Sequence, residues 1–188
     1  MQRRGVMRAG KNHMFKSLFA PKPNELQALE LYSRAVEQAR QPAFYTQLGV
    51  ADRIDARFEL YTLHVLLLYV RLRHQDQRTA DLAQKMFDHY VSALDHSLRE
   101  LGVGDISVGK KMRKLGESLY GRMSSYEKAL TEQDADAFST AIARNVFESD
   151  DIEAGRALTR YAFASHAALA NQTLVEIERA PDWAQISE

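Results

Sequence analysis

The residues best suited to chemistry in this chain lie in GVGDISVGKKMRK, from Gly102 to Lys114. Gly102, Gly104 and Gly109 fall within eight residues, Asp105 sits among them, and Lys110, Lys111, Arg113 and Lys114 follow at once. Ending a helix takes one glycine, so three point to a loop shaped to hold something. Gly104 to Lys110 has the G-x-x-x-x-G-K spacing of a phosphate loop, in which backbone amides cradle a phosphate beside the lysine. That chemistry needs Ser or Thr next, to hold magnesium, and Lys111 stands there instead. It also needs a preceding strand to aim the amides, and the sequence before Gly102 reads as helix. What remains is an anion site: glycine-loop amides at a helix start, with four cations on the first two turns. Cations there oppose the helix dipole, which favours a binding role. The expected partner is the phosphate of a lipid head group or of RNA; DNA is not expected.

The other polar candidates carry less. His64 lies alone in LYTLHVLLLY, with Leu60 and Leu68 at the i±4 positions where a second helical metal ligand would stand. A buried imidazole satisfied by a neighbour is the expected reading. Asp88-His89 and Asp95-His96 repeat two turns apart, about 10 Å along a helix, too far for one metal, and read as surface polar groups. No cofactor or metal site is expected. No nucleophile elbow, H-E-x-x-H or catalytic acid pair is present, and glycines with cations but no positioned acid or base favour binding over catalysis.

The elements that position these residues are helical. At 188 residues, 45% hydrophobic and 27% charged, the chain fits one globular domain. It contains no cysteine, which excludes disulfides and thiolate chemistry. The charge is balanced at 25 basic and 25 acidic residues. It is not evenly spread: residues 1–24 hold Arg3, Arg4, Arg8, Lys11, Lys16 and Lys22 and no acid, leaving the body with a surplus of six acids. A basic arm over 1–23 on an acidic body suits contact with an anionic surface. The longest uncharged run in the most apolar helix, Leu60 to Val70, is about half the ~20 residues a membrane span needs, so membrane contact would be peripheral.

Helical periodicity predicts a first helix capped by Asn24, with Gln27 closing a capping box, and stopped by Pro42. A connector follows over Ala43–Val50. A second helix is predicted from Asp52 to His74, with apolar residues nearly all round its axis, the mark of burial on most sides. Further helices are expected from Thr79 to Leu101, from Ser107 to Leu130, from Asp134 or Asp136 to Phe147, and as one long run from Asp150 to Arg179 before Pro181. No segment alternates like a strand. The fold class is all-α, a single-domain bundle of about five to seven helices, with 181–188 as a C-terminal tail. The apolar second helix is either surrounded or lines a groove for something greasy. The groove candidates are Phe58, Tyr61, His64, Val65, Leu68 and Tyr69, with Tyr90 from the next helix.

Four blocks carry a family resemblance: Ala39–Leu72, Met86–Leu130, Ala143–Phe147 and Arg160–Ala170. The specific part is the R-E-L-G-V-G-D run at 99–105, followed by V-G-K at 108–110 and Y-G-R at 120–122. In these the chain resembles the ubiquinol–cytochrome c chaperone family, which assists assembly of respiratory complex III; members commonly carry glycine where Ala56 stands. The resemblance implies a helical domain over 24–180, without enzymatic activity. In eukaryotic members it implies binding of newly made cytochrome b near the ribosome exit. It transfers no catalytic residue. The expectation is therefore a peripheral chaperone for cytochrome b, cytoplasmic at the inner membrane, or on the mitochondrial matrix face if eukaryotic. The client or its nascent chain, the membrane surface and the ribosome are its expected partners. The alternative is a carrier of a fatty acyl, lipid or quinone-like ligand in an apolar groove. A phosphate-handling enzyme at Gly104–Lys110 is the third reading.

Overall fold

The apolar run of the second predicted helix has no polar face to give to water, so other elements must enclose it. In the computed structural model, which describes residues 23–100 and 105–187, they do. The elements are α1 (Pro23–Ala39), α2 (Pro42–Thr46), α3 (Ile54–Arg73), α4 (Gln77–Glu100), α5 (Asp105–Thr131), α6 (Ala135–Val146), a 3-10 turn (Ile152–Gly155), α7 (Arg156–Asn171) and α8 (Leu174–Arg179). No strand occurs among the described residues, and the chain folds as one all-α bundle. α3 is its centre, contacted by α1, α4, α5, α6 and α7. Leu60, Leu63, Leu66, Leu67, Leu68 and Leu72 are all fully enclosed. α1 approaches through Ala28, Leu31, Ala35 and Ala39, a helical stripe of mostly small residues. α4 turns Leu82, Ala83, Met86 and Tyr90 inward.

Several boundaries differ from expectation for identifiable reasons. Asn24 is not a cap but lies in the first turn of α1, which starts at Pro23. Pro42 both ends one helix and opens the next: its missing N–H suits the first helical position, so part of the expected connector is α2. The expected long helix from Asp150 to Arg179 is broken. Asp151 caps the 3-10 turn, and Thr173 with Glu176 forms a complete capping box that starts α8 anew. Arg71 terminates α7, its Nε donating to the Leu169 carbonyl (2.8 Å) and its Nη2 to the Gln172 carbonyl (2.7 Å). Of the two expected cap candidates, Asp134 and Asp136, the first caps α6, accepting from the Ala137 amide at 2.9 Å. The residues beyond Pro181 pack on the bundle: Ala184 N donates to Ser165 Oγ, and the Trp183 ring lies 5.1 Å from that of His64.

Residues 1–22, Gly102 and Gly104 lie outside the described residues, and with them the basic arm and most of the glycine loop. Asp105 and Gly109 belong to α5. Lys110 and Lys111 therefore sit within a helix, not in a phosphate-cradling loop, and no strand precedes them among the described residues.

A candidate functional site: an apolar cleft beside a cationic face

α1 and α4 cover α3 along much of its length, but near the first turns of α3 they part. Between them opens a cleft of about 560 Å³. Tyr32 and Val36 of α1, Phe58 and Tyr61 of α3, Leu94 and Leu98 of α4 and Leu115 of α5 give it an apolar lining. Ile54, 70% exposed, stands at its edge. A second, smaller cleft of about 360 Å³ lies between α3, α4 and α5, with Tyr69, Phe87, Tyr120 and Met123 in its wall. A third, of about 300 Å³, is bounded by Leu98, Lys111, Lys114, Leu115 and Ser118. Leu98 and Leu115 line both the first and the third, so the apolar cleft and the face carrying Lys111 and Lys114 share these two side chains.

Of the seven predicted groove residues, Phe58 and Tyr61 line the main cleft and Tyr69 the second. His64, Val65, Leu68 and Tyr90 do not: all four are buried in the core. The helix is apolar all round because it is surrounded, which was the other reading of the same pattern. Nδ1 of His64 donates to the Leu60 carbonyl at 2.7 Å, and Nε2 accepts from the Tyr161 hydroxyl at 2.8 Å. Gln38 donates in turn to that hydroxyl. Burial pushes the imidazole pKa down to about 4, against a smaller opposing pull from the Leu60 carbonyl, so the ring is neutral and both nitrogens are engaged. Tyr90 donates to Thr62 Oγ1 (2.6 Å), which itself donates to the Phe58 carbonyl. Burial raises the Tyr90 pKa above its ordinary value.

One polar pair escaped the sequence reading. Glu59 is almost fully enclosed, and its Oε1 lies 2.9 Å from Nε of Arg122 on α5. Glu59 Oε2 and Arg122 Nε have no hydrogen-bond partner among the described residues. Burial pushes the Glu59 pKa up to about 7, with Arg122 opposing it. The Arg122 guanidinium also lies 5.8 Å over the Phe58 ring, directly behind the cleft. The available signals were an acid inside an apolar helix and the arginine of Y-G-R. Neither says that 63 positions of chain bring them together.

At the rim, Arg40 Nε donates to the Tyr61 hydroxyl at 2.9 Å and Arg57 to Asp52 at 2.6 Å. Lys110, Lys111, Arg113 and Lys114 are exposed, and no ion-pair partner for any of them occurs among the described residues. Of the two Asp-His pairs, Asp88 accepts from Gln84 within α4, and among the described residues only His89 reaches another helix. His89 lies 3.4 Å from Glu25, Asp95 pairs with Arg99, and His96 pairs with Glu100.

The sequence profile described as "Ubiquinol-cytochrome C chaperone" matches residues 46–181. The chain belongs to the ubiquinol-cytochrome c chaperone family. Its fold is similar to the crystal structure of the Cbp3 homolog from Brucella abortus, with a TM-score of 0.78 and 32% identity over 87% of this chain and 91% of that one. A search of curated proteins finds no match. This chaperone's profile match spans α3 to α8, so it takes in the whole of α3 and the α4–α5 side of the cleft. The family and the structural relative together support a chaperone of complex III assembly. No described helix is long and apolar enough to cross a membrane.

Proposed function

We propose that this protein is a non-catalytic assembly factor for complex III that holds an apolar segment of cytochrome b in the main cleft, beside an anionic membrane. One observation carries the reading: the apolar cleft shares Leu98 and Leu115 with a face whose lysines have no ion-pair partner among the described residues. An open slot with an apolar floor suits a polypeptide segment arriving from a bilayer, and the exposed cations beside it suit an acidic flank or a lipid phosphate. Membrane attachment is peripheral, through Lys110, Lys111, Arg113 and Lys114. Ribosome contact belongs to the same cationic face, where RNA phosphate is a chemically equivalent partner. The groups with displaced protonation, Glu59 and His64, lie behind the cleft rather than in it, which fits binding without catalysis.

The test is site-specific photocrosslinking in membranes making cytochrome b. A benzophenone side chain in place of Ile54 or Leu98 forms an adduct with cytochrome b, and one in place of exposed Val175 on α8 does not. No adduct from the cleft, or equal labelling from Val175, refutes the reading. Lipid that stays bound through purification and is released only on denaturation would favour the fatty acyl or quinone-like carrier instead.

A further inference from the structure

We infer that the α1–α3 wall of the main cleft is a carboxylate site, in which Arg40, Tyr61 and Tyr32 take the side chain of an aspartate or glutamate bordering the client's apolar segment. This rests on the client-binding reading above and adds to it the polar group that the client must carry. All three residues line the cleft. The Arg40 guanidinium lies 5.6 Å over the Tyr61 ring, and its Nε donates to the Tyr61 hydroxyl at 2.9 Å. The phenol's own proton has no acceptor among the described residues. Tyr32 stands beside the pair: burial raises its pKa, the Tyr61 phenol adds to the rise, and Arg40 opposes it. The Tyr32 hydroxyl has no hydrogen-bond partner among the described residues, yet it is not an enclosed atom. It therefore opens into the cleft.

These groups hold spare donors, and their neighbours supply no acceptor. Asp52 is taken by Arg57. Asp55, the one acid among the described lining residues, forms an ion pair with neither arginine. The nearby Tyr45 hydroxyl is spent on the Ala39 carbonyl. Arg40 itself has no acid partner among the described residues. It follows the last residue of α1, and a helix C-terminus favours a cation. That accounts for Arg40 but not for two phenol protons left over beside it. A guanidinium fork fits a carboxylate through parallel hydrogen bonds, and the phenols add donors to the same oxygens. Val36, Phe58 and Leu94 in the same cleft require the carboxylate to be joined to something apolar. Lys111 and Lys114 belong to α5 and to the third cleft, so they do not form part of this site.

The test uses the full chain in dodecyl maltoside with two fluorescent leucine–alanine helical peptides. They differ at one position beside the apolar stretch, glutamate in one and glutamine in the other. By fluorescence anisotropy at low salt, the native chain should bind the glutamate peptide about tenfold more tightly, the worth of one charge-assisted hydrogen bond. Arg40 is exposed, and Arg40→Gln should remove the preference while affinity for the glutamine peptide stays unchanged. Tyr32→Phe with Tyr61→Phe should reduce the preference without abolishing it. Lys110→Gln, Lys111→Gln, Arg113→Gln and Lys114→Gln together should leave it intact. Equal affinity of the native chain for the two peptides overturns the site and leaves the cleft reading standing. A preference that survives Arg40→Gln, or that vanishes in the quadruple variant, also overturns it. Displacement of the glutamate peptide by dodecyl phosphate but not by dodecanoate would give the site to lipid phosphate and overturn the assignment to a protein carboxylate. Binding of neither peptide removes the cleft reading, and this site with it.

Discussion

Glu59 and His64 stand five residues apart on α3, both buried, and burial moves their protons in opposite directions. The folded chain keeps a proton on Glu59 up to pH about 7, whereas an unfolded one releases it near its ordinary value of 4.5. Stability from this group is therefore full below pH 4.5 and is lost as pH rises toward 7. His64 does the reverse. Unfolded, it takes a proton below its ordinary 6.5; folded, it takes none until about 4, so its contribution falls as pH drops through that window. The two slopes oppose each other between about pH 4.5 and 6.5. Each is bounded by about 1.4 kcal/mol per pH unit. Urea midpoints of Glu59→Gln across pH 4–8 should rise more steeply with pH than those of the native chain, and those of His64→Gln should fall. Parallel profiles would mean that neither proton is displaced.

At the scale of elements, one glycine is fixed by the close approach of a neighbour. A Cβ on Gly155 would sit 2.2 Å from the Ser139 carbonyl oxygen and 3.0 Å from the Ala143 amide, because the 3-10 turn crosses α6 backbone to backbone. Gly155→Ala must push these elements apart and is expected to cost about 1–3 kcal/mol, read as a lower urea midpoint with unchanged slope. A midpoint equal to the native one would show that the crossing can relax. Gly116 has open space around it, and the sequence does not distinguish it from Gly155, since closeness of approach belongs to a neighbour. Element types were largely legible. The Asp134 cap and the spans of α3, α4 and α6 follow from side-chain types within a few residues. The break between α7 and α8 was also written locally, in the Thr173–Glu176 capping box. It was masked by an apolar periodicity that continues across it, while the carbonyls at the break are held by Arg71, about 100 positions away.

On the scale of the whole molecule, charge and apolar surface divide the labour. α5 spans about 40 Å, and its basic residues at 110–114 lie beyond the buried part of the bundle while its far end is core. A Debye length of about 8 Å in physiological salt confines their attraction to a surface close at hand. Each cation near an anionic bilayer contributes about 1 kcal/mol. Changing Lys110, Lys111, Arg113 and Lys114 together to glutamine should weaken binding to phosphatidylserine-containing vesicles by about a thousandfold at low salt, measured by flotation. Binding of the native chain should weaken in the same direction as salt is raised. Retained flotation in the quadruple variant would place membrane contact elsewhere.

The order of residues was enough to determine that the fold class is all-α and that the chain is a member of its family, whereas it left open whether the most apolar helix is surrounded or lines a groove. Those properties depend on periodicity, caps and local motifs. Which aromatic residues face a cleft was decided only in three dimensions. Phe58 and Tyr90 are alike in composition and helical setting, yet one lines the opening and the other lies beneath it, because α1 and α4 part over the first turns of α3 and close over the rest. The pairing of Glu59 with Arg122, and the sharing of Leu98 and Leu115 between the apolar cleft and the face of Lys111 and Lys114, arise the same way. They are contacts between helices, and a sequence read along one helix has no term for the distance to another.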